Sequence, residues 1–217
     1  MKRSSTLCAL AAVLCLTSGL PFAGAQGVHS KQTASLPSSP LHVELQNNAG
    51  SIEFFATGWP SALRIHGKGT GPDGTLTVKD SSVSGSMSVD LTSLETGIGL
   101  RDRHMKENYL QVDRYPRAVL TLRPLDSKLV PSGVASGPVN VPFEGTLLLH
   151  GVEKPVAGHA RISRDADQVT ANAVFSIKLG EFGIDVPKYL GITVAEKVEV
   201  KATFSAHVDR PRDVAER

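Results

Sequence analysis

The chain has 217 residues, a formal net charge of +2 at pH 7 and 20% charged residues. A balance this near neutral makes the chain a poor candidate for polyanion binding, which rests on neutralising phosphate with Lys and Arg, and for electrostatic adsorption to anionic lipid. Its two cysteines, Cys8 and Cys15, both precede the expected domain, so that domain has no disulfide, no thiol nucleophile and no thiolate metal site.

Lys2 and Arg3, the uncharged and mostly apolar run Leu7 to Leu20, and Ala23-Gly24-Ala25 have the form of a cleavable export signal. Met1 to Ala25 is therefore expected to be removed, with the mature chain periplasmic. The apolar run is shorter than the ~20 residues of a spanning helix, so no integral membrane segment is expected after processing. Leu7 and Leu14 stand where a lipoprotein signal needs a small residue. Removal of Lys2 and Arg3 leaves 21 basic side chains (23 less two) against 21 acidic. Gln26 to Pro40, rich in Ser, Gly and Pro, reads as a flexible lead-in. Leu41 to Val208 reads as one domain, and Asp209 to Arg217 as a disordered tail.

Within the domain, apolar and polar residues alternate with period two. The alternation runs through Ile52, Phe54 and Ala56; Leu63, Ile65 and Gly67; Leu76 and Val78; Met87, Val89 and Leu91. It resumes at Ala118, Leu120 and Leu122 and continues in four runs: Phe143 to Leu149, Val156 to Ile162, Val169 to Ile177, and Val198 to Ala206. Gly71-Pro72-Asp73-Gly74, Lys79-Asp80-Ser81-Ser82 and Asp165-Ala166-Asp167 are expected to close hairpins. Lys128 to Pro142, with three prolines and two glycines, is expected to be a loop or broken strand. Strands wet on one face only favour antiparallel pairing, and about eight of them in succession curl and close to remove their edges. The predicted fold is all-β: an antiparallel up-and-down, lipocalin-like barrel of about eight strands with one or two short helical inserts.

The main insert is Leu100 to Leu110, where Met105 and Tyr109 fall four apart and Asp102 can pair with Lys106. A second irregular stretch covers Glu181 to Gly191. The two are expected to cap the two barrel mouths. Many inward-phased residues are small, among them Ala56, Gly67, Ala118, Gly145, Gly158, Ala173 and Ala202. In a barrel of this size they imply unfilled volume, hence a lumen for a long apolar chain. A sealed core with closely approaching strands is the alternative.

Asp90, Ser93-Leu94-Glu95-Thr96-Gly97, Arg101-Asp102-Arg103-His104, Leu110 and Tyr115-Pro116 before Ala118 resemble the signature of the YceI-like family. Phe143 to Leu147, His150 to Val156, Phe182-Gly183-Ile184 and Leu190-Gly191 extend the resemblance, which covers Ser51 to Val208. It implies an extended lipocalin-like barrel that binds polyisoprenoids or related lipids. Many members begin with an Asp-x-x-His-Ser-type segment, replaced here by Gln46 to Ser51.

The residues expected to line the lumen are Phe54, Ile65, Val78, Met87, Val89, Leu120, Leu147, Phe175, Ile177 and Phe204 from strands. Met105 and Tyr109 join them from the insert, and Phe182, Ile184 and Leu190 from the second irregular stretch. Arg101, Arg103 and His104 are candidates for a polar headgroup, with arginine suited to pyrophosphate. His66, His150, His159 and His207 fall on the polar phase of their strands and are expected outside, exposed. No metal site and no cofactor beyond a bound lipid is expected. The partner is an isoprenoid or fatty-acyl lipid, and an exposed Phe55 allows a homodimer. Two other functions compete: an enzyme using Asp102 and His104 as acid and base on a barrel-bound lipid, or a sealed barrel that only binds a protein.

Overall fold

The structure, a computed structural model, describes residues 41–45, 50–59, 63–79, 82–126, 137–165, 168–186, 188–189 and 192–207. The expected signal, lead-in and tail lie outside these residues, as do Leu190, Gly191 and most of the Lys128 to Pro142 segment.

The described residues form twelve strands in one antiparallel sheet: β1 (Leu41–Leu45), β2 (Gly50–Trp59), β3 (Arg64–Thr70), β4 (Asp73–Lys79), β5 (Ser82–Asp90), β6 (Arg117–Asp126), β7 (Val139–Leu149), β8 (Val152–Asp165), β9 (Gln168–Lys178), β10 (Lys188–Tyr189), β11 (Ile192–Val194) and β12 (Lys197–His207). Their order is β1-β4-β5-β6-β7-β8-β9-β12-β2-β11-β10, with β3 on the other edge of β2. From β4 to β9 every strand pairs with its successor, so the run is up-and-down. Sequential order is broken where β12 inserts between β9 and β2, and where β1 pairs with β4.

Two of the expected hairpin turns carry paired flanks: Lys79 opposite Ser82, and Asp165 opposite Gln168. The third does not. Gly71 to Gly74 joins β3 to β4, yet β3 pairs with β2 and β4 with β1 and β5. The connection carries the chain from β3, beside β2, to β4, between β1 and β5, with Asp73 already in register with Ser88. Pro142 lies inside β7 rather than in a loop, opposite His159. It is exposed, while its neighbours Val141 and Phe143 are buried, which keeps the alternation intact across the proline.

The sheet curls so that its inner faces surround one large apolar cluster containing Ile52, Ile65, Leu147, Ile177 and Val198. A second cluster sits at one end, where Val43 and Leu45 of β1 pack with Met87 and Ala206. The β3 edge is closed without a further strand. Lys68 and Glu95 exchange two backbone hydrogen bonds of 2.8 Å, and the Thr70 amide donates to Ser93 Oγ at 3.1 Å. An edge that would otherwise offer unpaired amides is thereby covered.

Between β5 and β6 the chain leaves the sheet. Asp90 starts a 3-10 turn, Leu91–Ser93, by accepting from the Thr92 amide (2.9 Å) and hydroxyl (2.7 Å). A short helix follows, α1 (Gly99–His104), running on into a wider π-type turn at Met105–Tyr109.

Candidate functional site: an apolar cavity and its mouth

Strand direction decides where the irregular segments lie. The β5–β6 insert, the β7–β8 turn at His150-Gly151, the 3-10 turn Leu179–Phe182 and β10–β11 all sit where β5, β7 and β9 end and β6, β8 and β12 begin. Both stretches expected to cap opposite mouths are therefore at the same end. The other end is floored by the small cluster of β1, a short strand whose only period-two signal is Leu41, Val43 and Leu45.

Between floor and top lies a cavity of about 490 Å³, within the ~300–1,000 Å³ range of small-molecule sites. Twelve of the fifteen residues expected in its wall are there: Phe54, Ile65, Met87, Val89, Met105, Tyr109, Leu120, Leu147, Phe175, Ile177, Ile184 and Phe204. Val78 is not in the wall. It belongs to β4, near the sheet's end, opposite Leu41 and Val83. Phe182 is not there either; at 1% exposure it is packed into the main cluster behind the wall. Leu190 lies outside the described residues.

The small inward residues divide into two groups. Ala56, Ala118, Ala173 and Ala202 do border the cavity. Gly67 and Gly158 do not leave volume: a Cβ on Gly67 would stand 2.2 Å from the Phe54 ring, and one on Gly158 would stand 2.8 Å from both Phe143 and Phe175. Those glycines seat aromatic rings from neighbouring strands.

The wall also holds residues outside the expected set, among them Leu91, Leu94, Ile98 and Leu100 of the stretch after β5. Ile98 and Leu100 are 54% and 52% exposed, so the cavity reaches solvent there. Their only sequence signal is the glycine-separated pair Gly97-Ile98-Gly99-Leu100. Of the three headgroup candidates, Arg101 and His104 border the cavity near this mouth, whereas Arg103 is exposed and does not. Arg101 is held by Thr96, donating from Nε to Oγ1 at 2.7 Å and from the guanidinium to the carbonyl at 2.9 Å. Asp102 Oδ1 accepts from the Thr96 amide at 2.7 Å and from its hydroxyl. The expected Asp102–Lys106 pair gives way to this contact, because Thr96 offers two donors to one carboxylate oxygen.

His66, His159 and His207 are exposed as expected, but His150 is not. It occupies the β7–β8 turn with φ 53°, and its ring is half-buried against Tyr115, 4.6 Å between centroids. Phe55 is half-buried too, stacked on His66 at 4.5 Å with Lys201 Nζ 4.5 Å from its ring centre. No three His, Cys, Asp or Glu side chains cluster among the described residues. No helix among them is long and apolar enough to cross a membrane.

The sequence pattern of the YceI-like domain matches residues 44–206, well over half of the chain. This chain belongs to the YceI-like family. The residues of this signature are hydrogen-bonded here: Ser93 accepts from Thr70 on the β3 edge, Asp90 caps the turn that follows β5, and Thr96, Arg101 and Asp102 bond one another within the insert. Among solved structures, a polyisoprenoid binding domain from Saccharophagus degradans is similar at 18% identity and TM-score 0.62, over 78% of this chain and 99% of that one. Burkholderia cenocepacia BcnA is similar at 16% identity and TM-score 0.59, over 74% and 98%. The YCEI protein of Campylobacter jejuni aligns at 16% identity and TM-score 0.50, over 66% and 85%. No curated protein matches the sequence. At these identities the solved structures share the YceI-like fold with this chain.

Proposed function

We propose that this protein binds a long apolar lipid, a polyisoprenoid or a chain of similar character, inside its barrel, and carries or stores it without covalent chemistry in the periplasm. The observation that carries this is the cavity itself: about 490 Å³ with walls almost wholly of aliphatic and aromatic side chains. A guest tail entering so apolar a space leaves water behind, each buried methylene contributing ~0.8 kcal/mol. At ~30 Å³ per carbon, the liquid volume of a water, the space suits on the order of fifteen carbons. The similarity to a polyisoprenoid binding domain supports the same choice of ligand, and the Lys2 to Ala25 pattern supports export.

Polar groups at the mouth suit a small headgroup, with Arg101 and His104 at the cavity border. Catalysis through Asp102 has less support, since its Oδ1 already accepts two bonds from Thr96. A purely protein-binding barrel would not require the cavity. Mass spectrometry of an organic extract of the purified protein is the test. A prenyl or acyl lipid at near one per chain is expected. Repeated absence of lipid, together with failure to take up added prenyl chains, would refute the proposal.

A further inference from the structure

The two most exposed large aliphatic side chains among the described residues, Ile98 and Leu100, stand one glycine apart in sequence at the cavity mouth. At the rim of an apolar cavity they extend its apolar lining out to the surface, and exposed apolar area continuous with such a groove marks a ligand or membrane contact. Nor are they left exposed by slack in the loop. The segment between Thr96 and Asp102 is tied shut at its base: Arg101 bonds the Thr96 hydroxyl and carbonyl, and Asp102 bonds the Thr96 amide and hydroxyl. Gly97 takes φ 80°, which turns the chain sharply inside that ring. The clamp holds the lip outward.

We infer that this lip inserts into the surface of a lipid bilayer, so that the cavity opens directly onto the acyl chains. The inference rests on the lipid-binding function proposed above and specifies where the lipid enters. A second copy of the chain is the weaker occupant, because two side chains fall far short of the ~800 Å² per partner of a stable dimer. Charge also points to insertion rather than electrostatic adsorption. From Glu95 to Glu107 three acidic residues (Glu95, Asp102, Glu107) balance Arg101, Arg103 and Lys106. Attraction to anionic headgroups, which needs an excess of Lys and Arg, is therefore lacking, while shallow apolar insertion does not need it.

Vesicle flotation of the purified, lipid-stripped protein tests this without any prenyl ligand. The wild type is expected to float with phosphatidylcholine vesicles, to a similar extent with anionic vesicles, and with little change between about 0.05 and 0.5 M salt. Ile98→Ser/Leu100→Ser is expected to reduce the floated fraction at least fivefold with an unchanged thermal melt, since both side chains are more than half exposed. Failure of the wild type to float, equal flotation of the double variant, or flotation only on anionic vesicles with release by salt would each overturn the inference. So would a wild-type dimer in gel filtration that the double variant dissolves. A protein that floats but takes no prenyl chain keeps the lip and loses the carrier function; one that takes the chain from detergent but never floats does the reverse.

Discussion

His150 Nδ1 lies 3.2 Å from the carbonyl oxygen of Phe182. A carbonyl only accepts, so Nδ1 is the donor, while Nε2 is buried and has no hydrogen-bond partner among the described residues. This bond ties the β7–β8 turn to the 3-10 turn after β9, at the end of the barrel that carries the mouth. It also joins two stretches of the family signature that are 32 residues apart. His150→Ala is expected to lower stability by about 1–3 kcal/mol, from the lost bond and the carbonyl left without it. Urea denaturation reads the difference; a loss within error would mean that the contact is incidental.

Thr96 is the hub of the clamp, and its hydroxyl does two things at once. It accepts from Arg101 and donates to Asp102. Thr96→Val keeps the shape and removes both bonds, with an expected loss of about 1–2 kcal/mol and faster hydrogen exchange of the amides from 96 to 102. Thr96→Ser should restore both. If Val behaves as Ser does, the hydroxyl is not what holds the loop.

Ala202 and Ala173 face each other across β12 and β9, and both border the cavity. Ala202→Phe is expected to occupy space that a tail would take. Affinity for a long prenyl chain should fall at least tenfold, while the thermal midpoint stays level or rises because the void shrinks. Undiminished binding measured by titration would place the ligand elsewhere.

Asp73 joins β4 to the outer face of β5 and β6. Its carboxylate accepts from Ser88 Oγ at 2.6 Å and from Arg117 at 2.6 Å. The Ser88 hydroxyl, followed by the Arg117 guanidinium, holds its pKa below the usual carboxylate range. A depressed folded-state pKa contributes stability that is present above the unfolded value of ~3.9 and is lost as pH falls through the folded one. Asp73→Asn is therefore expected to cost at most about 1 kcal/mol at neutral pH, since the pair is partly solvated. The gap from wild type should close as pH falls below ~3.9. A gap that persists at about pH 2 would show that the residue's role is not electrostatic.

Much of the barrel wall was legible along the chain. Ile65, Leu147 and Ile177 are buried and Arg64, His66 and Lys178 exposed, as their alternation requires. The pattern carried over because a strand's side chains have no choice but to alternate. It failed where a residue's environment came from a distant segment. Val78 has the inward phase but lies at a sheet end, and Gly67 looked like empty space until Phe54 crossed it. His150 has the polar phase of its strand, but the chain turns at that residue and carries its ring beneath Tyr115.

Period-two hydrophobicity, together with the polar signature from Asp90 to Pro116, was enough by itself to determine an all-antiparallel β domain of the YceI-like family with a wall of known residues. Which wall residues meet an open volume was decided by tertiary structure, since volume depends on what reaches across from other strands. So was the placement of both irregular stretches at one end, a consequence of strand direction and register rather than of local composition. The outward hold of Ile98 and Leu100 likewise arises only when Thr96, Arg101 and Asp102 close their ring in space.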